Sequence, residues 1–162
     1  MRAAKHAPRD PFRVLERRPT DRLVADAKAR KTIYSGRLKI LGEDHSETIS
    51  AAYNYANSLG RQEHFEECKS LLLKVMPVMR RVLGESDETT LRMMWSYAAV
   101  LINNPSATLD DIREAVSTLE DAGRIARRVL GGAHPTTTSI EDNLQKAQFK
   151  LKFKLLLARS KT

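Results

Sequence analysis

The chain has 162 residues, 41% of them hydrophobic and 6% aromatic, with a net charge of +8 and a single cysteine, Cys68. That length suits one domain with a substantial core; no stretch approaches the roughly 20 apolar residues that cross a bilayer, and one cysteine excludes an internal disulfide framework and fits a reducing compartment. Residues 1–42 hold twelve Lys/Arg against four Asp/Glu, residues 43–146 eleven against sixteen, and residues 147–162 five against none, so a mildly acidic body lies between basic ends suited to acidic or anionic partners.

Residues 1–19 contain Pro8, Pro11 and Pro19 among scattered arginines. Proline at this density prevents a continuous helix, and the segment reads as a basic flexible N-terminal arm. From Thr20, an N-cap with Asp21 in the first turn, Leu23, Ala27, Tyr34, Leu38 and Leu41 recur at helical spacing. Gly42 follows, suited to the left-handed conformation that ends helices. A second helix, capped by Ser46 or Asp44, carries Ile49, Ala52, Tyr53, Ala56 and Leu59 to a turn over 60–64. Phe65 opens its partner, with Cys68, Leu72, Val75, Met76, Met79 and Val82 as the apolar stripe. Pro77 within that stripe predicts a kink, since it lacks the N–H and crowds the preceding turn.

Asp87 and Glu88 open the next helix, with Leu91, Met94, Trp95, Ala98, Leu101 and Ile102 on its buried side. A lengthened loop over 103–108 leads to Thr108, which caps a helix carrying Ile112, Ala115, Val116, Leu119, Ala122, Ala126 and Val129. Asp110 and Asp111 sit at its positive end. Pro135 is placed for the start of a last helix. Its Ile140, Leu144, Ala147, Leu151 and Leu155 face inward, while Gln145 and Gln148 give the polar outer side that a terminal cap requires. The run Lys150 to Leu157 reads as the end of this cap; the alternative is a basic amphipathic segment for an anionic membrane or an acidic partner.

One phrase recurs: Leu41-Gly-Glu-Asp-His-Ser-Glu-Thr, Leu83-Gly-Glu-Ser-Asp-Glu-Thr-Thr and Leu130-Gly-Gly-Ala-His-Pro-Thr-Thr, spaced 42 and then 47 residues apart. Recurrence at such a period marks stacked units that contact mainly their neighbours. The units divide as an incomplete repeat at 20–40, repeats at 41–82 and 83–129, and a capping helix at 130–158. With Asn54-Tyr55-Ala56, Ser96-Tyr97-Ala98 and Asn143-Leu144 further along each unit, and Phe65/Cys68 and Ile112/Ala115 as small-residue helix contacts, the chain resembles the tetratricopeptide repeat of the kinesin light chain type. The resemblance covers about residues 20–150. It implies an all-α fold, a right-handed α-α superhelix or solenoid of antiparallel helix pairs. It also implies a concave groove, lined by the first helix of each unit, that binds extended peptides.

Helical spacing from Asn54 places Ser50, Asn57 and Arg61 on the same side. The equivalent rows are Arg92, Ser96, Ala99 and Asn103, then Ser139, Asn143, Lys146 and Lys150. An amide offers both donor and acceptor, so Asn54, Ser96 and Asn143 form a ladder suited to a peptide backbone, while Arg61, Arg92, Lys146 and Lys150 favour acidic side chains or a carboxylate. His45 and His134 are explained by repetition as turn residues, and no His/Cys/carboxylate cluster has metal-ligand spacing. Cys68 falls at a helix-contact position, and Gly131-Gly132 is followed by no Gly-Lys-Ser/Thr. The expectation is a protein-interaction scaffold with no enzymatic activity, no cofactor and no metal, located in the cytoplasm, with a protein or peptide partner of acidic character. Two alternatives stand beside it. One is an assembly module whose exposed repeat ends pair with another copy or another domain. The other is an electrostatic binder of anionic membrane or, less favoured, nucleic acid through the basic ends.

Overall fold

The computed structural model describes residues 20–160, without the side chains of Thr20 and Asp21; the arm expected over 1–19 and the capping role expected of Thr20 fall outside it. Six helices make up the described fold: α1 (Thr20–Leu41), α2 (Ser46–Arg61), α3 (Phe65–Leu83), α4 (Glu88–Asn103), α5 (Leu109–Val129) and α6 (Pro135–Arg159). The described chain is all-α. Its connections, 42–45, 62–64, 84–87, 104–108 and 130–134, are short enough that each helix turns back along the one before. Each helix packs on its successor. In addition α2 approaches α4 and α4 approaches α6, whereas the backbones of α1 and α3, and of α3 and α5, stay apart.

The recurrent phrase supplies the turns. Gly42, Gly84 and Gly131 have φ of +83°, +91° and +90°, a region in which a Cβ is strained. The Gly42 N–H donates to the Leu38 carbonyl and the Gly84 N–H to that of Arg80, so glycine closes the helix that the leucine ends. The cap expected from Ser46 or Asp44 is made by His45 instead. His45 has an extended backbone (φ −77°, ψ 133°) and Ser46 is already helical, so it is the imidazole Nδ1 that accepts the Glu47 N–H, at 3.2 Å. His134 accepts the Thr136 N–H in the same way at 3.2 Å, and Asp87 accepts that of Thr89 at 2.8 Å. Thr108 and Asp111 form a reciprocal capping box on α5, the arrangement that satisfies two otherwise orphan donors.

Helix α4 is the centre of the core. Every residue from Met93 to Ile102 is buried, because α2, α3, α5 and α6 all lie against it. Cys68, Leu72, Val75, Met76 and Met79 of α3 are buried with it, as are Ile112, Ala115, Leu119, Ala122 and Ala126 of α5. The expected stripes overrun this core at their ends: Leu41, Val82 and Val129 are exposed. Helix α3 continues through Pro77 as one element. Pro77 itself is exposed, beside the buried stripe and not in it.

Polar ties join the layers at repeat-equivalent positions. The Tyr55 hydroxyl donates to Glu67 and that of Tyr97 to Glu114, each at 2.7 Å, linking α2 to α3 and α4 to α5. Lys69 reaches Asp111 at 2.7 Å, so α3 is tethered to the start of α5 by side chains although their backbones do not meet.

Candidate functional site

The contacts of α2 with α4 and of α4 with α6 bring the expected inner row together. Ser50 and Asn54 on α2, Asn103 at the end of α4 and Lys146 on α6 are exposed, and Asn57, Arg61, Arg92, Ser139 and Lys150 are half-buried. Ser96 and Asn143 are buried. The Ser96 hydroxyl lies 3.3 Å from that of Tyr53 and donates to Asn57 Oδ1 at 3.5 Å. Asn143 turns its amide back to the Ser139 carbonyl at 2.9 Å. The ladder of Asn54, Ser96 and Asn143 is therefore closed at two of its three rungs. Packing of α4 between its neighbours removes solvent from the middle of the row, a consequence of helix approach that spacing along a single helix does not reveal.

Lys150 also departs from the role expected of it. Its Nζ donates to the Ile102 carbonyl, and Lys154 Nζ to that of Ala107. Ile102 stands in the last turn of α4, where carbonyls lack helical partners and the helix dipole favours a cation. Burial, and secondarily the neighbouring Lys154, push the Lys150 ammonium below its ordinary value. The lengthened loop and the long α6 thus fit together, lysines on carbonyls.

Arg92 is the member of the row with unfilled capacity. It lies on the core-forming helix, half-buried, and its Nε is enclosed with no acceptor among the described residues. A guanidinium is always charged, and enclosed polar groups are ordinarily hydrogen-bonded. The residues named with it, Ser50, Asn54, Asn57, Arg61, Asn103, Lys146 and Lys150, are neutral or basic, while Glu88, one turn earlier on α4, accepts from the Thr136 hydroxyl of α6 at 2.8 Å. What this geometry can do chemically is accept an anion.

Other chemistry is weaker. The Cys68 thiol is fully buried and donates to the Ala56 carbonyl at 3.1 Å; burial above all pushes it up to about 12, which keeps it protonated. A concavity not signalled by the repeat opens between α3 and α5 over the floor of α4. It has a volume of about 270 Å³ and is bordered by Leu73, Met76, Pro77, Met94 and Tyr97. It exists because the α3 and α5 backbones stay apart, which sequence periodicity does not encode. Compared with known proteins, the chain matches no family model and no curated protein.

Proposed function

We propose that the chain is a protein-interaction module, a right-handed superhelix of tetratricopeptide-like helix pairs that holds an acidic, extended segment of a partner against the inner row of α2, α4 and α6. The observation that carries this is Arg92: a half-buried cation on the central helix, its Nε enclosed without an acceptor among the described residues. An enclosed polar atom without a partner is costly, and a carboxylate from a partner adds charge-assisted hydrogen bonds to the same guanidinium. Asn54, Asn103 and Lys146 remain exposed on either side to contact the partner's backbone and flanking acids. Recognition therefore centres on charge at Arg92 rather than on an amide ladder. The contacts of α2 with α4 and of α4 with α6, with none between the backbones of α1 and α3 or of α3 and α5, support the stacking of such repeats.

The test is capture on an array of twelve-residue peptides of graded Asp/Glu content. The wild-type chain is expected to select acidic peptides, and Arg92→Gln to weaken capture by about tenfold, the order expected of one charge-assisted pair, with an unchanged or raised melting temperature. Equal capture by the folded variant overturns the proposal.

A further inference from the structure

Helix α6 is apolar on two opposite sides. One side, with Ile140 and Ala147 buried and Leu144, Leu151 and Leu155 half-buried, packs on α4 and α5. The other carries Phe149, Phe153, Leu156 and Leu157, which are 74%, 53%, 55% and 45% exposed. Their i, i+4, i+7, i+8 spacing sets them in one stripe about 100° wide. Exposed Lys146, Lys152 and Arg159 border the stripe, and no Asp or Glu follows Asp142.

This stripe is not the contact that a further helix pair would use. Repeat register aligns Trp95, Ala98 and Leu101 of α4 with Asp142, Gln145 and Gln148 of α6, so the equivalent contact positions are polar. The exposed apolar residues lie mostly beyond them, on the length by which α6 (25 residues) outruns α4 (16 residues). The lysine contacts to Ile102 and Ala107 hold that extension to the body.

We propose that the exposed face of α6 docks on an anionic lipid surface, with Phe149, Phe153, Leu156 and Leu157 entering the headgroup–acyl boundary and the bordering basic residues contacting lipid phosphates and carboxylates. Two observations select this occupant. Along α6 beyond Asp142 the charge is of one sign, which repels a second copy of this basic end and attracts acidic lipid. The stripe offers on the order of 500 Å² of exposed side-chain area, short of the roughly 800 Å² per partner of a stable protein interface. Lying in a bilayer interface has no such area threshold, and the surface potential of anionic lipid adds attraction for each bordering basic residue. An amphipathic helix with Phe and Leu on one face and lysines beside them is the arrangement that lies in a bilayer interface.

The experiment is vesicle co-sedimentation of the full chain with phosphatidylcholine alone and with 30 mol% phosphatidylserine. Binding is expected to the second only, to fall with salt, and to drop about tenfold or more in Phe149→Ser/Phe153→Ser. Both positions are exposed, so that variant keeps the wild-type melting temperature; Lys146→Gln/Lys152→Gln gives a second, apolar-face-intact arm that also loses binding. Arg92→Gln binds vesicles normally, which separates failure here from failure of the acidic-segment proposal. No sedimentation of the wild-type chain with anionic vesicles overturns the inference. So does equal sedimentation of the phenylalanine variant, which assigns binding to charge alone. So too does a dimer that the phenylalanine variant abolishes, or capture of an acidic amphipathic Glu/Leu peptide, when vesicles fail.

Discussion

At Arg92, His134 and Asp111 single side chains carry separable parts of the account. His134 caps α6 through its imidazole Nδ1, so His134→Ala is expected to cost about 1 kcal/mol in denaturant unfolding, within the usual range for losing an N-cap. His134→Asp, which copies the cap that Asp87 makes on α4, is expected to retain or raise stability. A loss as large for aspartate as for alanine would show that the cap is not the histidine's role. Asp111 is held down to about 2 by the Lys69 hydrogen bond first and by the Thr108 hydroxyl and backbone next. Because its folded value lies below its ordinary one, its contribution is complete above about pH 4 and is lost as pH falls toward 2. Asp111→Asn should therefore lose about 1–2 kcal/mol near neutrality, discounted for partial exposure. Wild type and variant should converge only below pH 2, where the carboxyl is protonated in both states; a difference that persists there would contradict this. The histidines were legible in sequence as turn residues, because they recur with the phrase. Their capping contact was not, since it depends on an extended backbone at one position. Arg92 was legible as an inner-row cation, but its enclosure comes from neighbouring helices and has no sequence signal.

At the scale of the element, α3 and α6 depart furthest from simple periodicity. Pro77 lies in the interior of α3 and is exposed, so the Leu73 carbonyl has no helical N–H to accept. Pro77→Ala restores that donor without disturbing the core and is expected to stabilise the chain by about 1–3 kcal/mol, up to the full helix-interior difference between the two residues. Unfolding of the variant by denaturant checks the sign; a destabilised variant would mean that the proline ring packs usefully at the α3–α5 cleft. The apolar spacing places Pro77 in the stripe, yet Val75, Met76 and Met79 are buried while Pro77 is exposed at the cleft. One residue is 100° on a helix, and the sequence pattern does not resolve that step. In α6 the inward residues Ile140 and Ala147 were readable from spacing. The opposite stripe was equally present in the sequence at Phe149, Phe153, Leu156 and Leu157; merged with the inward set it looks like one hydrophobic end, and only burial separates the two sides.

For the whole molecule, the helices and their turns were legible because glycine with positive φ at 42, 84 and 131 is written into a repeated phrase. The mutual approach of α2, α4 and α6 was implied by resemblance, and its consequence, closure of the row at Ser96 and Asn143, was not. What remains open there is Arg92, half-buried, with exposed Asn54 and Lys146 beside it. The direct measurement is the Arg92 Nε–H resonance in a titration of the full chain with an acidic twelve-residue peptide. This resonance is expected to shift as the peptide binds, and those of Lys146 and Asn54 to shift with it. Binding that moves only resonances of α6 beyond Lys150, leaving Arg92 unchanged, would contradict it.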